Sequence, residues 1–387
     1  MPTPKLNVCL IGYKFMGKAH SQAWRTVGRF FNLDAEPVMK VVCGRDGAAV
    51  AEFAERWGWE QSSADWQAAI RQDDVDLVDI SSPGSTHAEI AIAAAKAGKH
   101  VFCEKPLTFT VADSKRMLAA VRESGVKHMV NFNYRRCPAV ALAKQMIEAG
   151  EIGMIRHMRC TYLQDWLVDP EFPMNWRMRK ESAGSGSHGD LGAHSIDLAR
   201  YLTGEIEEVV GMKKTFITER PAEGTSHGIT ATAGEGTEQV TVDDCSVFLA
   251  KFANGATGTF EATRLAPGRK NHNRFEINGS KGTLAWCFER LNELEFYSTT
   301  DPGSQQGFRT IFATEGDHPY AGVWWPPGHM LGYDHSFSNV ASDLVQDIAN
   351  NRDCSPDFQD GAQCVAVLEA VDHSIDSGCW ASVERIQ

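Results

Sequence analysis

LNVCLIGYKFMGKAHSQAW, residues 6–24, decides how this chain is read. Leu6 to Ile11 is a continuous apolar run of the kind that fills a buried strand. Gly12 to Gly17 is a glycine-punctuated turn, and from Lys18 onward Ala23, Trp24 and Val27 fall at helical spacing. Strand, turn and helix in that order suit a dinucleotide. Small residues let the backbone approach a pyrophosphate, and the helix N-terminus presents free N–H groups to its charge. Gly12 and Gly17 hold the outer positions of the three-glycine pattern and Lys14 takes the middle one. The turn residues Gly12, Tyr13, Lys14, Phe15 and Met16 are therefore expected to bind cofactor. On this turn alone, two glycines that merely permit a tight connection explain the pattern as well.

The alternation continues outward from the turn. Val38–Cys43, Val75–Ile80, His100–Cys103 and Met129–Phe132 read as strands. Gly47–Trp57, Ala88–Ala97 and Val111–Glu123 read as the helices between them. Such crossover units build a parallel sheet that binds ligands outside the carboxyl ends of its strands. After about residue 134 the pattern changes. A helix near Ala139–Ala149 precedes short, often alternating stretches at Ile155–Leu163, Glu207–Phe216, Cys245–Phe252, Ala256–Ala262 and Phe275–Gly279, which suggest a largely antiparallel sheet. Glu219–Gln239, rich in Gly, Thr and Glu, is expected to be a surface loop, and Asp360–Cys379 a closing helix. The expected organisation is an α/β dinucleotide-binding domain over 1–133 and an α+β substrate-binding and oligomerisation domain over 134–387, built on a large open sheet.

Composition narrows the function. With 38 basic and 50 acidic residues the net charge is −12, and no basic cluster offsets it, so nucleic acid is an unsuitable partner. No stretch reaches the roughly 18 apolar residues of a membrane span. The N-terminus runs straight into a strand without a secretory pattern, so a cytoplasmic protein is expected. The ten cysteines contain no C-x-x-C pair, and Cys9, Cys43 and Cys103 sit in or beside apolar strand runs, as buried reduced thiols do.

The second strand ends in Cys43-Gly44-Arg45-Asp46, where an acidic residue usually bonds the ribose of NAD. Arg45 could pair with a 2′-phosphate and favour NADP, or stack on adenine while Asp46 or backbone groups hold the ribose of NAD. Three further motifs are Ser81-Ser82-Pro83-Gly84-Ser85-Thr86-His87, Cys103-Glu104-Lys105-Pro106-Leu107 and Gly189-Asp190-Leu191-Gly192-Ala193-His194-Ser195-Ile196-Asp197. Together they resemble the glucose–fructose oxidoreductase / inositol dehydrogenase / rhizopine catabolism (Gfo/Idh/MocA) family. Pro356-Asp357-Phe358 with Asp360-Gly361 extends the likeness to the end of the chain, and Gly12 to Ser21 looks most like the branch of levoglucosan dehydrogenase and related sugar 3-dehydrogenases.

The resemblance implies a Rossmann domain followed by an open-faced sheet domain, NAD or NADP as cofactor, and a small sugar as substrate. It also implies assembly as a homodimer or homotetramer and a catalytic trio of Lys105, Asp190 and His194. Gly44, Arg45, Ser82, Pro83, Thr86, His87, Glu104 and Lys105 join the turn as cofactor-binding candidates. The chemistry is apt: hydride transfer from a carbinol carbon needs a base for the hydroxyl proton, and a neutral imidazole serves near physiological pH. A lysine can stabilise the developing alkoxide. If Asp190 and His194 share one helix, they project from one face.

Tyr134, Gln164, Trp166, Trp176, Arg177 and His335 are the candidate substrate contacts beside the trio, since sugar sites combine polar side chains with aromatic faces. Asp190, Asp197, His188 and His194 could instead be read as metal ligands, but the resemblance offers a metal-free mechanism and no metal is expected. The leading expectation is NAD-dependent oxidation of a ring secondary hydroxyl, at C3 of levoglucosan or a glucoside. An inositol or inosose oxidoreductase, an NADP-linked ketose reductase, and a cofactor-sensing binding protein without turnover are the alternatives.

Overall fold

The computed structural model describes residues 3–227 and 230–387, with the side chains of 225–231 outside the description. The first sheet has six parallel strands: β1 (Lys5–Ile11), β2 (Glu36–Cys43), β3 (Gln61–Ser63), β4 (Leu77–Ile80), β5 (His100–Cys103) and β6 (His128–Val130), in the order β3-β2-β1-β4-β5-β6. Its central strands β1, β4 and β5 are largely apolar and buried because both faces are covered, while the edge strand β3 is polar. Val8 and Leu10 pack against helices α1 (Phe15–Phe30) and α2 (Gly47–Trp57). Cys9 and Ile11 face the core that holds α3 (Trp66–Ile70), α4 (His87–Lys96) and α5 (Val111–Ser124). Cys9, Cys43 and Cys103 are buried free thiols. The strand order reverses between β1 and β4, which opens a crevice at their carboxyl ends.

Helix α6 (Pro138–Glu148) leads into the second domain, whose strands are β7 (Ile155–Leu163), β8 (Ile206–Lys214), β9 (Glu219–His227), β10 (Thr230–Gln239), β11 (Cys245–Phe252), β12 (Thr257–Thr263), β13 (His272–Gly279), β14 (Gly282–Cys287), β15 (Glu293–Ser298), β16 (Arg309–Phe312) and β17 (Ala381–Ser382). Nine of them form one open sheet in the order β16-β15-β14-β13-β7-β12-β11-β8-β17, antiparallel except for the pair β7 and β12. Helices α7 (Lys180–Ala183), α8 (Ser187–Asp190), α9 (Gly192–Leu202), α10 (Tyr333–Ala349) and α11 (Phe358–Ser377) complete the chain. Period-two alternation decides which face is covered: Phe248, Ala250 and Phe252 of β11 point into the core, while Val247 and Leu249 stay 38% and 46% exposed on the open face.

Two expectations need correction. Within Glu219–Gln239 the described residues form two paired antiparallel strands, β9 and β10, not a loop, and 228–229 lie outside the description. Arg220, buried in β9, donates to the carbonyls of Leu167, Asp169 and Phe172, and Arg179 bonds Glu223 and Glu238 across both strands. The break at 133/134 marks the end of the first sheet, yet α10 returns to the first domain. Phe337, Val340, Ala341, Leu344 and Val345 share a core with Leu6, Val8, Leu10 and Trp24, so α10 closes a face of the parallel sheet.

Candidate active site

The turn after β1 is shaped for close backbone approach. Gly12 has φ +112°, and a Cβ there would lie 2.7 Å from the backbone of Ser81; one at Gly17 would lie 2.3 Å from the Gly12 carbonyl oxygen. Lys14, in the middle position, has φ −81° and needs no glycine. Among the described residues no side chain caps α1 and no acidic residue stands in its first turn, so nothing described there offsets the charge of its N-terminal N–H groups. These residues fit a dinucleotide pyrophosphate. The missing acid at Gly44 also has a steric cause: a Cβ there would meet the Tyr13 ring at 2.2 Å. Tyr13 covers that position with its edge toward Phe53, Asp46 caps α2 by accepting from the Ala49 N–H, and Arg45 is left exposed.

The loop after β4 closes on itself. Ser82 and Thr86 share a hydroxyl hydrogen bond of 2.7 Å, and Thr86 donates to the Pro83 carbonyl. His87, expected at the cofactor, is turned inward. It is 1% exposed with its ring nitrogens against the carbonyls of Ser82, Pro106 and Leu107, so it ties the β4 and β5 loops together. Glu104 is likewise buried. Its carboxylate meets His20 at 2.8 Å, Asn131 at 2.6 Å and the Lys105 N–H at 3.1 Å, and thereby fixes the backbone that presents Lys105.

Lys105 Nζ donates to both the carbonyl and Oδ1 of Asp190, each at 2.9 Å. The other carboxylate oxygen, Oδ2, accepts from Arg264 at 2.6 Å. Burial opposes the Asp190 charge, but Lys105, Arg264 and Arg177 together hold its pKa well below the usual carboxylate range. His194 moves the same way for other reasons. Burial and then the Lys105 ammonium push its pKa well below the ordinary histidine value, against a smaller opposing pull from Asp190, so the ring is neutral at neutral pH. Neither ring nitrogen of His194 hydrogen-bonds another described residue, which leaves the imidazole able to take a proton. Asp190 and His194 do not share one continuous helix. Asp190 ends α8 and His194 lies in the first turn of α9, with Leu191 between. The N-terminus of α8 is held by Asp243, whose carboxylate accepts from Gly186 N, Ser187 Oγ and His188 N.

The other expected substrate residues separate into groups. Tyr134 is buried with its ring centroid 4.5 Å from that of His194 and its hydroxyl bonded to that of Tyr162, so it backs the imidazole. Trp166 donates to Gln164, which donates to Asn271, and the Arg264 guanidinium lies over the Trp166 ring. Arg177 stacks on Trp176 at 4.4 Å and is close enough to Asp190 and Arg264 to feel both charges. Through Arg264 and Arg177, these polar and aromatic residues gather on the Arg264 side of Asp190.

His335 stands apart from that group. It serves the N-terminus of α10, accepting from Gly332 N, and packs edge-on against Trp324. Tyr333, two residues earlier, is the member of that stretch whose hydroxyl feels Glu104, Tyr162 and Asp190. Arg264, Asp243 and Tyr333 are the site residues that sequence reasoning missed or passed over. His188 and Asp197 do not converge with the trio on a metal position: His188 meets Ser246 and Leu368, and Asp197 pairs with Arg135.

Comparison with known proteins identifies the family and the fold. Residues 6–132 match the model of the oxidoreductase family with an NAD-binding Rossmann fold, and residues 140–285 match the GFO/IDH/MocA C-terminal domain. Levoglucosan dehydrogenase of Pseudarthrobacter phenanthrenivorans is 46% identical over 386 residues, which cover 98% of this chain and 99% of that one. A crystal structure of an oxidoreductase domain protein from Kribbella flavida superposes with a TM-score of 0.94 at 52% identity, covering 99% of this chain and 100% of that one. A levoglucosan dehydrogenase complex with NADH and levoglucosan gives a TM-score of 0.93 at 44% identity, over the same shares of the two chains. The chain belongs to the Gfo/Idh/MocA family of NAD-binding oxidoreductases.

Proposed function

We propose that the protein oxidises levoglucosan or a closely related glucoside to the 3-keto sugar, with NAD as the hydride acceptor. The observation that carries this reading is His194, whose ring nitrogens bond no other described residue, beside the pair that Lys105, just past the carboxyl end of β5, makes with Asp190. NAD held at the turn Gly12–Gly17 would supply the acceptor for the hydride of the carbinol carbon. His194 takes the hydroxyl proton, and the Lys105 ammonium, held by Asp190, steadies the negative charge that grows on the oxygen. Trp166 and Trp176 offer aromatic faces to a rigid sugar ring, while Gln164 and Arg177 offer hydrogen bonds to its other hydroxyls.

The ten cysteines are all unpaired, as suits a reducing cytoplasm. Among the described residues no helix is long and apolar enough to cross a membrane, and the charge of −12 disfavours nucleic acid. The open sheet face with Met212, Val247 and Leu249 exposed is suited to burial in a homodimer or homotetramer, which sedimentation velocity would size.

The test is reduced-cofactor formation, followed by absorbance with NAD and with NADP on levoglucosan, glucose, methyl glucosides, myo-inositol and 1,5-anhydroglucitol. Fastest turnover with NAD on levoglucosan or a glucoside is expected. Activity on inositol alone or with NADP alone would overturn the assignment of substrate or cofactor, and cofactor binding without turnover on any polyol would overturn the enzymatic reading.

A further inference from the structure

We propose that His272, Cys287 and Glu289 form a binding site for a zinc-class divalent cation, outside the reaction centre. His272 opens β13, Cys287 ends β14, and Glu289 lies in the turn that follows β14. The fold brings three different donor atoms to one point: His272 Nδ1 is 3.3 Å from Cys287 Sγ and 3.0 Å from Glu289 Oε2, and all three atoms lie within 4.8 Å of one another. A tetrahedral zinc ion with ordinary Zn–N, Zn–S and Zn–O distances would set such pairs about 3.3–3.6 Å apart.

Without a cation, Nδ1 meets its neighbours one at a time: protonated it donates to the Glu289 carboxylate, and unprotonated it accepts from the Cys287 thiol or from Arg269. A cation accepts from all three at once. The donor set of one imidazole, one thiolate and one carboxylate suits a borderline-soft ion rather than calcium or magnesium, which take oxygen ligands. Three protein ligands leave a fourth position for water.

Ionisation of the cysteine belongs to the binding step. The ion would replace the thiol proton, so one proton leaves for each ion bound. Arg269 is the competitor, with a guanidinium nitrogen 3.4 Å from Nδ1; its side chain is 51% exposed and free to swing into solvent.

The bound ion would act beyond its own ligands. Glu289 Oε1 already accepts from the backbone N–H groups of Lys270 and Asn271. Asn271 accepts from Gln164, and Lys270 pairs with Asp165. The cation would staple the segment from Arg269 to His272 to the end of β14 and thereby stiffen the stretch that carries Gln164 and Trp166.

The test uses full-length, tag-free protein stripped with a chelator and titrated with cobalt(II), which reports a thiolate ligand through its sulfur-to-metal charge-transfer absorption. One equivalent is expected to bind, zinc(II) is expected to displace it, and calorimetry of zinc binding in buffers of different ionisation enthalpy should show release of one proton. Cys287→Ser should abolish the charge-transfer band. His272→Ala and Glu289→Gln, checked for native circular dichroism, should weaken binding by at least about tenfold. Absence of the band in folded wild-type protein at excess cobalt overturns the proposal. So does a band of full strength in Cys287→Ser, which would place the metal on another thiol such as the exposed Cys379. None of these readouts depends on turnover, so they stand or fall separately from the proposed sugar oxidation.

Discussion

Replacing His20 by leucine should destabilise the first domain by several kcal/mol at neutral pH, and the loss should shrink as the pH rises. His20 lies on α1, 1% exposed, between two buried carboxylates. Its Nδ1 meets both oxygens of Asp79 at 2.8 and 2.9 Å and its Nε2 meets Glu104 at 2.8 Å. Trp24 donates to the same Asp79 carboxylate at 2.7 Å. Burial opposes the charge on the ring, yet Asp79 and Glu104 hold its pKa up to about 10. Leucine leaves both carboxylates buried without their cation, and breaking a buried ion pair costs about 3–5 kcal/mol.

Proton linkage gives a similar magnitude. A histidine that titrates near 6.5 when unfolded and about 10 when folded contributes up to about 5 kcal/mol. Because the folded pKa is the higher one, that stability is fully present below pH 6.5 and is lost as the pH rises toward 10. Urea unfolding of wild type and His20→Leu at half-unit steps from pH 6.5 to 10 measures both effects. A gap of about 3–5 kcal/mol near pH 7 that narrows toward pH 10 is expected. A gap below about 1 kcal/mol at pH 7, or one constant to pH 10, would refute the buried imidazolium. The variant should also lose turnover, because Glu104 orients the backbone of Lys105.

Two further substitutions probe the reaction centre. Arg264→Met removes the guanidinium that holds Asp190 Oδ2 at 2.6 Å; loss of a charged hydrogen bond worth about 1.5–3 kcal/mol predicts a roughly 10- to 150-fold fall in kcat/KM. Steady-state kinetics checks it, with partial rescue expected in Arg264→Lys. Lys105→Met should raise the pKa of His194, since the ammonium is one of the two causes that lower it. The imidazole resonance of His194, followed by NMR in isotopically labelled protein, should therefore titrate at higher pH in the variant than in wild type.

The parallel half of the fold was legible because β1, β4 and β5 are apolar on both faces and end in glycine, serine and Glu-Lys-Pro motifs that only the carboxyl end of such a sheet explains. The strand pair of β9 and β10 was not legible. Its hold comes from Arg220 and Arg179 reaching polar partners, and a periodicity reading registers only apolar spacing. Nor does the apolar face of α10 reveal which domain it covers; that depends on a core shared with residues more than 300 positions away. Within the site, motif spacing found Lys105, Asp190 and His194. It missed Arg264, a single arginine after β12 whose importance arises from tertiary approach to Asp190. His335 and Tyr333 stand two residues apart on α10, and the helix turns the tyrosine ring onto Phe288 and Phe337 and the histidine onto Trp324.

The most direct test of the central claim is the rate of NADH formation on levoglucosan by wild type and by His194→Asn, with NAD binding measured on both proteins. Removal of a general base predicts a fall in kcat of about 10²- to 10⁴-fold with cofactor affinity unchanged. Full turnover by the folded variant would take the proton-accepting role from His194 and contradict the account.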